Sequence, residues 1–166
     1  MKATNDTPRI RLRPAEEVDG DLLLLWANDP VSRAASFRSA HIPREEHLSW
    51  FHKKLSDPLV SIYIGIDNEH RAVGTIRFER EEDDAILSII VNADHRGKGY
   101  GKELLKRGED LIFEKTDIRI IHAYVKPENA SSVNLFRSAG YEERERTTVH
   151  GVDAMHFVRE KAMLSS

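Results

Sequence analysis

A chain of 166 residues with 40% hydrophobic residues, 32% charged residues and a formal net charge of -3 has the makings of an ordinary globular domain, and its charge argues against general nucleic-acid binding. The absence of cysteine removes disulfides, thiolate metal ligands and a cysteine nucleophile. The longest apolar run, Leu22–Ala27, is far short of the roughly 20 residues of a membrane span, and Met1–Asp6 lacks the apolar stretch of a signal peptide; the expected location is the cytoplasm, with no membrane or metal partner.

Arg9-Ile10-Arg11-Leu12-Arg13 alternates charged and apolar residues, the period-two mark of a half-buried strand, and Pro14 ends it. Asp21 to Ala27 reads as a helix, closed by Asn28-Asp29-Pro30, because the residue before a proline is pushed out of helical geometry. Val31 to Ala40 is a short helix or loop. Pro43 suits the first position of the next helix, where Glu45 and Glu46 occupy the first turn and Leu48, Phe51 and Leu55 form an apolar stripe. Val60–Ile66 and Ala72–Phe78 read as strands around the turn Asp67–His70. Five of the six residues from Glu79 to Asp84 are acids, a solubilising hairpin tip that returns the chain into a third strand, Ala85–Val91.

That third strand opens the stretch around which the rest is organised. It breaks at Asn92-Ala93-Asp94, and Arg96-Gly97-Lys98-Gly99-Tyr100-Gly101 leads into a helix carrying Tyr100, Leu104, Leu105, Leu111 and Ile112 at helical spacing. Alternate glycines leave backbone N–H groups uncovered, and with the free N–H groups of the helix start they make a cradle for an anion. Arg96, Lys98, Lys102, Lys106 and Arg107 surround it against a single acid, Glu103. Cations at a helix N-terminus oppose the helix dipole, by about 0.3–1 kcal/mol each when exposed, and a bound polyanion would reverse that cost. His95 reads as a solvated loop residue.

Ile118–Val125 is a further buried strand, and Asn129 a good N-cap for a helix with Val133, Leu135 and Phe136 inward and Gly140 as its left-handed stop. Tyr141–Val149 and Ala154–Arg159 are closing strands around His150–Asp153, and the tail after Lys161 reads as frayed. With no repeat or linker, residues 1–166 read as a single α/β domain, a mixed and mostly antiparallel sheet flanked by about four helices. The strands on either side of the glycine-loop helix are expected to be parallel neighbours, joined by a right-handed crossover.

Two motifs stand in order. One is Val91-Asn92-Ala93-Asp94-His95-Arg96-Gly97-Lys98-Gly99-Tyr100-Gly101; the other runs from Val125-Lys126-Pro127-Glu128-Asn129-Ala130-Ser131-Ser132 to Leu135-Phe136-Arg137-Ser138-Ala139-Gly140-Tyr141. Together they resemble the GNAT superfamily of acetyl-CoA-dependent N-acetyltransferases, over nearly the whole chain. The resemblance implies a GNAT-like fold, acetyl-CoA as co-substrate, no metal, and direct transfer to an amine. It implies that the amides of Ile89, Ile90 and Val91 pair with pantetheine along a splayed strand. Arg96, Gly97, Lys98, Gly99, Tyr100, Gly101 and Lys102 would hold the pyrophosphate, and Asn129 and Phe136 would border the thiol end. Phe136 stands where many relatives carry a tyrosine that protonates the departing thiolate, and phenylalanine has no proton to give.

Scattered positions in the N-terminal half, among them Trp26, Arg33, Glu46-His47, Trp50-Phe51 and Arg77, resemble the GNAT subgroup that acetylates nucleotide-linked amino sugars in pseudaminic acid-type pathways. Ribosomal-protein N-terminal and polyamine acetyltransferases share part of the pattern, and a non-catalytic acetyl-CoA sensor is the alternative of another class. Trp26, Trp50 and Phe51 also suit a plain core, and Glu46 and His47 a solvated helix face. For chemistry, His122 and Tyr124 share one face of their strand by alternation. Histidine's unperturbed pKa suits the residue type at 122 to taking a proton, and Tyr124 has a hydroxyl able to give one. Ser88 could order a water. An edge strand near the C-terminus is compatible with a homodimer.

Overall fold

The computed structural model describes residues 8–162. The readings of Met1–Asp6 and of the tail after Lys161 fall, except for Ala162, outside them. Among the described residues seven strands form one sheet: β1 (Ile10–Pro14), β2 (Val60–Asp67), β3 (Ala72–Glu81), β4 (Asp84–Val91), β5 (Ile120–Val125), β6 (Glu142–Val149) and β7 (Val152–Glu160). Their spatial order is β1-β2-β3-β4-β5-β7-β6. Every pairing is antiparallel except β4 with β5, which sit on either side of the crossover helix. Five helices accompany the sheet among the described residues: α1 (Gly20–Ala27), α2 (Pro30–Ala35), α3 (Arg44–Ser56), α4 (Tyr100–Lys115) and α5 (Ala130–Ser138).

Alternation along the strands divides the core into two layers. On one face Ile76, Phe78, Ala85, Leu87, Ile121 and Ala123 pack with Leu105 and Ile112 of α4 and with Val133 and Phe136 of α5. On the other, Ile62, Ile64 and Ile66 meet Leu23 and Trp26 of α1 and Phe51 of α3. Burying each such side chain is worth about 1.5–3 kcal/mol. Glycine sets how close α4 comes: a Cβ at Gly108 would lie 2.6 Å from Ile76 Cδ1, and one at Gly74 would lie 2.7 Å from Leu104 Cδ1.

Several boundaries move for local reasons. Asp29 does leave helical geometry, and its carboxylate caps a new helix by accepting from the N–H groups of Val31 and Ser32, with Pro30 in the first turn of α2. Pro43 flanks α3 as its extended N-cap rather than opening it. His150 and Gly151, at φ 49° and 76°, close the β6–β7 hairpin as a two-residue turn, tighter than the expected loop. β6 is exposed from Glu142 to Thr148, and its interspersed acids and bases discourage edge pairing. No helix among the described residues is long and apolar enough to cross a membrane.

Candidate active site

β4 and β5 pair only where Asp84–Ile86 meets Ile120–His122. Beyond that point β4 stays with β3 as far as Val91 and β5 stays with β7 as far as Val125, so a wedge opens inside the sheet. A strand directs its N–H and C=O groups to both sides, and from Leu87 to Val91 the β5 side has no strand to meet. The wedge belongs to a cleft of about 1190 Å³. Ile89, Ile90, Val91, Arg96, Gly97, Gly99, Tyr100, Gly101, Lys102, Asn129 and Phe136 all line it, as does Tyr124. Lys98 and His122 do not.

At one end of the cleft, a single 3-10 turn (Ala93–His95) leads into the glycine loop, where Gly97 and Gly99 take φ of 75° and 83°. Only glycine reaches that region without steric cost. The turn brings the start of α4, with its unpaired amides, to the cleft edge. A Cβ at Gly97 would meet nothing within 4 Å, so the loop backbone lies open there. Arg96 reaches back to α2, its Nη2 donating to Asp29 Oδ2 (2.9 Å) and to Ser32 Oγ (3.3 Å). Lys98 instead donates to the Asp94 carbonyl at 3.3 Å. Arg9, which the sequence did not single out, donates to the Lys98 carbonyl at 2.9 Å, pairs with Glu103 and lies 4.5 Å from the Tyr100 ring centroid.

His95 corrects the expectation of a solvated loop residue. It is 8% exposed, its ring meets Tyr100 edge-on at 5.6 Å, and its Nδ1 is buried without a partner. Burial follows from the 3-10 turn, which brings the ring against Tyr100 of α4 and its Nε2 to 4.0 Å from Asp67 Oδ2 of β2. His47 is likewise buried rather than solvated, with Nε2 at 3.1 Å from the Gly20 carbonyl; burial pushes its pKa down, against the pull of that carbonyl. Glu46 on the same helix stays exposed and lines the cleft.

The strand face opposite α4 carries the two residues expected to do the chemistry, Tyr124 and His122. Tyr124 lines the wedge, and burial, with Glu81 and Asp84 nearby, raises its pKa. His122 turns into a separate shallow groove: its Nε2 lies 2.6 Å from Asp84 Oδ2 and its Nδ1 2.7 Å from His156 Nε2. The His156 ring stacks on Tyr124 at 4.6 Å, and burial, then His122 and Arg144, lower its pKa. Asp84 and His156 were not singled out because their partners come from strands distant in sequence. Ser88 Oγ accepts from Arg77 Nη2 at 3.1 Å. Trp26 and Phe51 are core, at 3% and 1% exposure, whereas Trp50 lines the cleft. Asn129 caps α5, its Oδ1 accepting from the Ser132 N–H at 3.3 Å. Phe136, 3% exposed, packs on Tyr141 and Phe157 and shows only part of its ring to the cleft.

A parallel pair parted into a wedge, with an open glycine loop at the following helix, is the arrangement the two motifs led one to expect, and residues 9–142 match the family profile described as the acetyltransferase (GNAT) domain. The chain belongs to the GNAT acetyltransferases. Among its relatives is an uncharacterized N-acetyltransferase, p20, of Bacillus licheniformis, 24% identical over 144 residues that span 82% of this chain and 81% of the relative. A spermidine N-acetyltransferase from Vibrio cholerae, solved with CoA and spermine, superposes with a TM-score of 0.82 at 20% identity, covering 92% of this chain and 95% of that one. The aminoglycoside acetyltransferase AAC(6')-Ib, solved with coenzyme A, gives a TM-score of 0.79 at 20% identity over 92% and 95% of the two chains.

This GNAT enzyme is thus an acyltransferase, with acetyl-CoA as its acyl donor. The residues present fit that molecule. The free edge of β4 offers backbone groups for an amide-bearing arm, and the loop offers open backbone at Gly97, with Lys102 beside it, for a pyrophosphate.

Proposed function

We propose that this GNAT acetyltransferase acetylates a primary amine on a nucleotide-linked amino sugar. The observation that carries the reading is the charge of the cleft wall. Arg33, Arg38, Arg77, Arg96 and Lys102 line it against two carboxylates, Glu46 and Glu79; Glu79 is paired with Lys54 and Arg96 with Asp29, and Lys102 lies at the glycine loop, which leaves Arg33, Arg38 and Arg77 to face the acceptor. Such a wall repels a polyamine and suits an acceptor that brings its own negative charge. At the mouth, Arg38 Nη2 lies 3.3 Å from His150 Nδ1 and has no carboxylate partner among the described residues.

Bound acetyl-CoA supplies an acyl group activated as a thioester. The chain's own residues do the rest. Backbone groups along Ile89–Val91 align the donor, and alignment of two reactants removes much of the entropic barrier. Tyr124, kept protonated by its raised pKa, gives its proton to the departing thiolate. Ser88, fixed by Arg77, holds the water that takes the proton of the amine. His122 acts at one remove: the Asp84–His122–His156 chain ties β4, β5 and β7 together where the wedge begins, and His156 fixes the Tyr124 ring by stacking.

Thiol release from acetyl-CoA is measured with UDP-linked 4-amino sugars beside spermine, an aminoglycoside and short peptides. Turnover on the sugars at a kcat/KM at least tenfold above the others is expected. Preferential turnover of spermine, an aminoglycoside or a peptide would keep the donor site and discard the acceptor assignment.

A further inference from the structure

Arg77 is a cation held in the wall of the cleft with most of its hydrogen-bonding capacity unspent. It projects from β3 level with Ser88 of β4, just past the last paired residues of β4 and β5. Its guanidinium carbon lies 4.9 Å from the Trp50 ring centroid, and its side chain is 27% exposed. Of its five N–H groups, one donates to Ser88 Oγ at 3.1 Å. Among the described residues Nε is buried with no partner, its nearest carboxylate oxygen, Glu79 Oε2, being 3.7 Å away; the other Glu79 oxygen is taken by Lys54. Nη1 has no acceptor among the described residues and belongs to a side chain that lines the cleft.

A guanidinium pressed against an indole and short of acceptors is a planar fork, shaped for a carboxylate or phosphate. Its level on the sheet, opposite Ser88, places it beside the wedge, in the cleft that Ser88 and Tyr124 also line. We infer that Arg77 is a specificity-determining residue that binds an anionic oxygen of the acceptor, and so selects amines carrying a phosphate about one sugar ring away. This rests on the nucleotide-linked amino sugar reading, in which the oxygen belongs to the phosphate joined to the sugar. The further phosphate then runs outward to Arg38. Ser88 stays with the amine, and Trp50 backs the guanidinium so that it cannot turn away from the cleft.

Trp50 is also the reporter. Its only fellow tryptophan, Trp26, is buried in the α1 layer and supplies a constant background. CoA-saturated protein, with its own pyrophosphate site filled, is titrated with uridine diphosphate while tryptophan fluorescence is followed. Saturable binding is expected in the wild type, weakened tenfold or more in Arg77→Gln and less in Arg77→Lys, which keeps the charge but loses the fork. Unchanged affinity for CoA and an unchanged melting temperature confirm that the variants are folded. Equal binding by wild type and Arg77→Gln, or no saturable binding by the wild type, overturns the inference. Turnover of UDP-amino sugars with the same KM in Arg77→Gln removes the role of Arg77 and leaves the sugar reading standing. Arg77-dependent binding of uridine diphosphate without turnover of any sugar does the reverse.

Discussion

Gly97→Asp and Gly97→Asn differ by one charge and almost nothing in shape. Gly97 has φ of 75°, and the space a Cβ would fill is empty to 4 Å. Asn and Asp visit this left-handed region more readily than other side chains, so each substitution costs about 1 kcal/mol of strain. For a chain of this size that lowers the melting temperature by about 2–4 °C, and both variants share it. The charge is not shared. A carboxylate about 6 Å from a pyrophosphate on the open loop is opposed by roughly 3 kcal/mol per unit charge at an effective dielectric of about 20. Salt screens part of this, leaving about 1.5–3 kcal/mol, or roughly 10- to 100-fold in affinity. Calorimetric titration of CoA into each variant, with melting curves alongside, reads the two effects separately. If the Asp variant binds CoA within threefold of the Asn variant, the pyrophosphate does not sit on this loop and the cradle argument fails.

Tyr124→Phe is expected to lower kcat by about 10²-fold with the KM for acetyl-CoA unchanged, whereas His122→Ala, removed from the cleft, lowers it by less than about tenfold. A larger loss in the His122 variant would make the imidazole the proton carrier. Glu109, 7% exposed in α4, has its pKa raised by burial, against the pull of Tyr141 and Arg159. The folded state therefore holds its proton more tightly than the unfolded chain, and stability falls as pH climbs from the unfolded pKa through the folded one. Glu109→Gln should match the wild type near pH 4 and melt about 2–4 °C higher at pH 8, a gain of about 1 kcal/mol; equal melting temperatures at both pH values would contradict the burial argument. Asn129→Ala loses the α5 cap, about 1 kcal/mol, and should melt about 2–4 °C lower, checked by scanning calorimetry.

Nearly every strand and helix was legible, because each is set by a repeat that neighbouring residues share. Ile62, Ile64 and Ile66 alternate onto one face, and Leu104, Leu105 and Ile112 fall on one side of α4. The glycine loop was equally plain, since positive φ at Gly97 and Gly99 asks for a particular residue type. Burial of polar groups was not. His95 and Glu109 carry local patterns that suit the surface, and they are enclosed only by elements arriving from elsewhere in the chain. Arg77 and Glu79 alternate as an exposed strand face would; that Trp50 covers the one and Lys54 pairs with the other depends on α3 lying across β3.

The sequence by itself determined the element order, the glycine turn before α4 and the cap at Asn129, all of which follow from backbone sterics and spacing over a few residues. Only the tertiary structure decided the width of the wedge, since that is where β4 follows β3 while β5 follows β7. It also decided that Tyr124 faces the cleft while His122, two residues away on the same strand face, is drawn off by Asp84 and His156. Alternation places both side chains on one face; which of them meets the substrate depends on hydrogen bonds between strands distant along the chain, and those exist only once the sheet is assembled.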